Sequence, residues 1–161
     1  MFESIDVHNN TGLNPHYACV NRLHASYLHL ATLFSRVVVY FTKPNGVQSK
    51  AMSELCPAVT LECGNIEQQY GAEHACDYLD ACLHLSQHPQ HPAADHDIGL
   101  FHTTGIVKIS KAINFGYHGE NLDLSLETDL EPYNFRELDS GTLFGKTKMR
   151  GAFSGDRRKW R

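Results

Sequence analysis

Two textures of hydrophobic and polar positions divide this chain of 161 residues. Over roughly the first ninety residues, compact β-branched runs alternate with stretches in which apolar residues recur every three or four positions. The runs read as strands and the periodic stretches as amphipathic helices. A strand is expected over 3–8, followed by the turn-rich Asn9-Asn10-Thr11-Gly12-Leu13-Asn14-Pro15. Asn21 is placed to cap a helix over 22–34, where Leu23, Tyr27, Leu30, Leu33 and Phe34 recur at helical spacing. The run from Arg36 to Thr42 is a buried strand by its β-branched content, and Lys43-Pro44-Asn45-Gly46 ends it. A short helix over 49–55 stops before Pro57, and a strand over 58–63 follows. Residues 71–85 form an amphipathic helix with Ala72, Ala75, Cys76, Leu79, Cys82 and Leu83 on one side.

The segment His88-Pro89-Gln90-His91-Pro92-Ala93-Ala94-Asp95-His96 has no period and reads as a solvated linker. His84 and His88 share a helix face by spacing, yet no Cys or carboxylate is placed to complete a metal site with them. Beyond this segment, short strands are expected over 98–102, 105–109, 122–126 and 142–145, punctuated by Gly116, Gly119, Gly141 and Gly145. The expected organisation is an α/β part over 1–90, a linker over 91–97, a small all-β domain over 98–150 and a basic tail over 151–161.

Composition narrows the function classes. A hydrophobic share of 42% is enough for a buried core. A net charge of -4 gives no basic footprint for nucleic acid and no polybasic face for anionic lipid. The apolar stretches fall far short of the roughly 20 residues that a membrane span requires. Cys19, Cys56, Cys63, Cys76 and Cys82 contain no C-x-x-C pair, and the acidic, polar start is unlike a secretory leader. Free thiols in a reducing cytoplasm are therefore expected. The first strand begins so close to Met1 that the chain is expected to be the C-terminal part of a longer protein.

In open α/β sheets, ligands gather at the carboxyl ends of strands. Two β-branched runs end there in a group able to do chemistry. The first, Ser4-Ile5-Asp6-Val7-His8, ends in an imidazole, which can ligate a metal or hydrogen-bond a loop carbonyl. Asp6 lies on the same face by strand period and is placed to orient that ring. The second, Ala58-Val59-Thr60-Leu61-Glu62, ends in the only charge of the segment 57–64. A carboxylate at the end of a buried strand is either paired, for instance with Lys50, or functional. Desolvation would raise its pKa toward that of a general base. Cys63, facing away from Glu62, reads as a buried inert thiol.

Asp6-Val7-His8-Asn9-Asn10-Thr11, followed some fifty residues later by Thr60-Leu61-Glu62-Cys63-Gly64, resembles the succinylglutamate desuccinylase/aspartoacylase family of zinc-dependent deacylases. The resemblance continues through Asp129-Leu130-Glu131-Pro132-Tyr133-Asn134-Phe135-Arg136 and Gly141-Thr142-Leu143-Phe144-Gly145, and so covers roughly 5–145. It implies the C-terminal part of a three-layer α/β zinc-hydrolase core with a mainly parallel or mixed sheet, followed by a small β-domain. It implies Zn2+ as cofactor, His8 as a zinc ligand and Glu62 as the carboxylate that activates the zinc-bound water. Asn9, Asn10 and Thr11 match the loop beside the metal, and Lys50 is the nearest cation for substrate. The family's other two ligands, in an H-x-x-E motif, lie upstream of that loop and have no counterpart here. The implied activity of the intact protein is hydrolysis of the amide in an N-acyl amino acid or similar acylated amine. The chain by itself is expected to hold little zinc and to turn over such substrates negligibly. The alternative is a non-catalytic fragment or small-acid-binding module of the same family. The expected partner is a small acylated molecule, not nucleic acid or membrane, and a homo-oligomer remains open to the chain.

Overall fold

The computed structural model describes residues 2–94, 96–119 and 121–147, together with the backbone of Phe153–Gly155. The chain divides into two units, the first ending at Thr103 and the second starting at Thr104. In the first, the β-branched runs form strands β1 (Ser4–Asn10), β2 (Tyr17–Val20), β3 (Val37–Tyr40), β4 (Ala58–Asn65) and β5 (Gly99–His102). Helices α1 (Ala25–Thr32), α2 (Gln48–Met52) and α3 (Tyr70–Leu83) lie between them in sequence. The strands form one sheet in the order β1-β4-β2-β3-β5. Neighbours β1 and β4, β2 and β3, and β3 and β5 are parallel, whereas β2 and β4 are antiparallel. The unit is thus mixed α/β, as the alternation of β-branched runs and periodic stretches predicts, and its strand pairing is mostly parallel. Its core gathers Ala18, Val20, Leu30, Val38, Val59 and Leu61, all fully buried.

Several elements differ from the sequence expectation, each for a physical reason. Strand β2 falls between Pro15 and Asn21, in a segment too short to display a period. Asn21 caps no helix: its side-chain amide donates to the Phe41 carbonyl at 2.9 Å, and α1 begins after His24 without a side-chain cap. Leu23 and Leu33 therefore lie outside α1 and are exposed. The buried stripe of α3 runs through Gly71, Ala75 and Tyr78, while Leu79 and Leu83 face outward. Gly71 sets this rotation, because a β-carbon there would collide with the Cys63 carbonyl on β4. The Tyr78 hydroxyl completes it by donating to the Leu30 carbonyl at 3.2 Å.

The region read as a solvated linker is tied down at three points. His88 is buried with its Nε2 2.8 Å from Glu3 Oε1. His29 donates from Nε2 to the His91 carbonyl at 2.7 Å, and Arg36 donates to the His96 carbonyl at 2.5 Å. Residues 99–102, expected to open the β-domain, instead form the β5 edge of the main sheet, in register with Val37 to Tyr40.

In the second unit, β7 (Phe115–Gly116), β8 (Leu124–Leu126) and β9 (Gly145–Thr147) form a three-stranded sheet, and β6 (Val107–Ile109) pairs with β10 (Phe153–Gly155). Leu124 is fully buried, and the Tyr133 and Phe144 rings meet edge to face at 5.6 Å. A 3₁₀ turn spans Glu131–Tyr133. Of the basic tail expected over 151–161, everything but the backbone of β10 lies outside the described residues.

Candidate active site

The site is built by register. Because β1 and β4 are parallel, their carboxyl ends reach the same sheet edge, and His8 pairs with Glu62 there. Antiparallel β2 sets Tyr17 directly across from the same Glu62. Residues paired across strands project to one face. One row of that face therefore reads His8, Glu62, Tyr17. The row behind it reads Asp6, Thr60, Cys19. The intervening residues Val59, Leu61, Ala18 and Val20 alternate to the opposite face and are fully buried in the core. Strand alternation thus sorts the polar groups onto one face and the apolar ones onto the other.

Asp6 Oδ1 lies 3.1 Å from His8 Nε2, and Glu62 Oε1 lies 4.0 Å from His8 Nδ1. The Asn10 side-chain amide donates to Glu62 Oε2 at 3.4 Å, and the Asn14 amide donates to Asn10 Oδ1 at 3.1 Å. Asn14 thereby turns the amino group of Asn10 toward the carboxylate. The His8 side chain is 52% exposed and that of Glu62 only 16%. Immediately past Glu62 the register slips: Asn10 pairs with Asn65, which leaves one extra residue on β4. Gly64, at φ 78°, absorbs that bulge in the left-handed region. Bulges of this kind bend a strand and re-aim its last side chains.

Burial pushes the Glu62 carboxyl above its ordinary value, and the Asp6 charge adds to the rise. The Asn10 hydrogen bond and the His8 imidazole act in the opposite sense. Burial, then the Glu62 charge, hold the Tyr17 phenol well above its usual range. The same two causes push the Cys19 thiol up to about 12 and raise that of Cys63. Both thiols stay protonated at neutral pH, unsuited to nucleophilic attack. All five cysteines are free.

The structure thus brings together Asp6, His8, Asn10 and Glu62 and leaves the other expected site residues apart. Asn9 and Thr11 are exposed, and Asn9 alternates to the face opposite His8. Lys50 donates to the Thr42 carbonyl and to Asn45 Oδ1 at 2.6 Å. Those acceptors follow the end of β3, which runs opposite to β4, so Lys50 belongs to the other sheet edge and does not pair with Glu62. Tyr17 was not foreseen. The only sequence signal for it is its position three residues before a short apolar end, and that carries no pairing information.

A zinc centre needs His8 and at least two further donors. Among the described residues, no three of His, Cys, Asp and Glu come together to hold a metal ion. His8 Nε2 is hydrogen-bonded to Asp6 at 3.1 Å, whereas its Nδ1 lies 4.0 Å from Glu62, beyond hydrogen-bonding distance. His84 is exposed and His88 buried against Glu3, so they do not converge either. The donor set of the described residues does not fit a zinc site.

No family model matches the chain, and no curated protein matches it. Among solved structures, it is similar to the crystal structure of succinylglutamate desuccinylase from Chromobacterium violaceum, at 19% identity and a TM-score of 0.49. That similarity covers 82% of this chain and 46% of the other, so the chain spans less than half the length of that neighbour. Among the described residues, no helix is long and apolar enough to cross a membrane.

Proposed function

We propose that Glu62 is the general acid–base group of a deacylase-type site that hydrolyses the acyl–nitrogen bond of a small acylated amine, such as an N-acyl amino acid. The observation that carries this reading is the sheltered Glu62 carboxyl, raised by burial and set in register beside His8 at the carboxyl edge of a parallel strand pair. A base poised above the ordinary carboxylate range takes a proton more readily near neutral pH. Glu62 removes a proton from water as the water oxygen bonds to the acyl carbon. The same proton then passes to the departing nitrogen as the carbon–nitrogen bond breaks. Asn10 holds one carboxylate oxygen, leaving Oε1 on the His8 side for the transfer. Asp6 fixes the His8 ring at the rim. In this reading the first unit is part of a three-layer hydrolase core and the second a small appended β-domain. Zinc, as implied by the resemblance, would draw only His8 from the described residues.

Activated esters test the base without demanding the full machinery for amide cleavage. The purified chain is expected to cleave p-nitrophenyl acetate above the buffer rate, and Glu62→Gln to lower that rate about a hundredfold. Equal rates for wild type and Glu62→Gln would remove Glu62 from the chemistry.

A further inference from the structure

The turn after β3, Lys43-Pro44-Asn45-Gly46, and the Lys50 side chain that folds back on it lie at the sheet edge away from Glu62 and take no part in that site. They carry a chemistry of their own. We propose that Asn45-Gly46 is a self-modification site, where the Gly46 backbone nitrogen attacks the Asn45 side-chain amide while Lys50 hydrogen-bonds the amide oxygen. The inference goes beyond the hydrolytic reading and does not depend on it.

Three observations carry it. Asn45-Gly46 is the only Asn-Gly pair in the chain, and glycine leaves the attacking nitrogen unshielded by a side chain of its own. Both residues are exposed. Gly46 stands at φ 91°, which accounts for glycine as the turn residue. A β-carbon added there would meet nothing within 4 Å, so that side of the turn is open. Lys50, on α2, donates from Nζ to Asn45 Oδ1 at 2.6 Å, and its second bond, to the Thr42 carbonyl, anchors the ammonium in place. Reach between the reacting atoms needs no fold, because the two residues are neighbours in the chain and their bond closes a five-membered ring. What the fold adds is the cation on the oxygen.

The steps balance with water as the sole co-reactant. A base takes the proton of the Gly46 amide, and the nitrogen bonds to Asn45 Cγ. Negative charge develops on Oδ1, where the Lys50 ammonium already points, as in other preplaced oxyanion donors. Nδ2 takes up a proton and leaves as ammonia, which breaks the Cγ–Nδ2 bond and leaves a cyclic imide. Water then adds to one of the two imide carbonyls. Opening at Cγ gives an aspartate with the main chain restored. Opening at the main-chain carbonyl gives an isoaspartate, with the chain routed through the former side chain. Either product exchanges a neutral amide for a carboxylate beside Lys50.

Peptide mapping by mass spectrometry tests this on the whole folded chain, incubated at mildly alkaline pH. The peptide carrying Asn45 should show the mass gain of an amide-to-acid exchange and separate into aspartate and isoaspartate forms. Lys50→Met should slow that gain about tenfold, the scale of losing one charge-assisted hydrogen bond from the step. Lys50→Arg keeps a cationic donor and should stay within about threefold of wild type. In urea that unfolds the chain the contact is gone, so wild type and Lys50→Met should convert at equal rates. If Asn45 keeps its mass in the folded protein while converting in urea, the turn protects the pair and the proposal is overturned. Equal or faster conversion in folded Lys50→Met overturns it as well. So does a difference between the two chains that persists unchanged in urea, because its source would then be sequence and not the folded contact.

Discussion

At Glu62, function and stability pull against each other. Ordinary carboxyl groups titrate near about 4.3, and burial carries this one higher. The folded chain therefore binds the Glu62 proton more tightly than the unfolded chain does. Its contribution is most favourable below the ordinary carboxyl range and is lost as pH rises through the raised folded value. Glu62→Gln removes that ionisation. We expect the variant to be more stable than wild type at pH 7 by about 1 kcal/mol, the scale of relieving one functional site. The advantage should vanish near pH 3.5, and urea unfolding at the two pH values measures it. An advantage that persists unchanged at pH 3.5 would show that ionisation is not its source. Glu62 itself was legible from sequence, because a single charge closing a β-branched run stands out. Its neighbour Tyr17 was not, since cross-strand register joins positions 45 residues apart, and periodicity sees only one strand at a time.

Among elements, the pairing of α3 with β4 decides how firmly the site edge is held. The sequence shows an amphipathic helix here but leaves its rotation open. Ala72, Cys76, Leu79 and Leu83 form as regular a stripe as the buried one. What selects between them is a close approach at Gly71, a tertiary contact without a periodic signature. Gly71→Ala would push its methyl into the Cys63 carbonyl, one residue from Glu62. We expect a loss of about 2 kcal/mol, on the scale of overpacking a tight core, seen as a lower urea midpoint at unchanged slope. A variant as stable as wild type would mean that α3 sits further from β4. The neighbouring bulge has the same dependence on a missing side chain, with Gly64 facing His16 Nε2 and Gln68 Oε1.

For the molecule as a whole, histidines tie distant segments of the first unit together, where the sequence offers only an unusual count of them. His16, just before β2, meets His74 of α3 at 2.6 Å between their Nδ1 atoms. Its ring stacks on Tyr70 at 5.1 Å and on Phe34 at 5.9 Å. At that distance one ring nitrogen donates to the other, and a further proton on His16 would place a charge against that contact. Burial, then His74, lower the His16 pKa. The folded chain therefore binds this proton more weakly than the unfolded chain. The stabilisation is complete above about pH 6.5 and is lost as pH falls toward the lowered folded value. Thermal unfolding should show a midpoint that declines between pH 7 and pH 5, and His16→Phe, which keeps the stacking, should flatten that decline. A slope unchanged by the substitution would assign it to other groups. In the second unit the strands expected over 105–109 and 122–126 overlap β6 and β8, whereas β9 follows the expected 142–145 and β7, only two residues long, has no pattern to show it.

The pH profile of p-nitrophenyl acetate cleavage bears hardest on the assignment of Glu62 as the base. Wild type should show an acid limb with its inflection above the ordinary carboxyl value of about 4.3. That limb should be missing in Glu62→Gln. Identical profiles in the two proteins would contradict it.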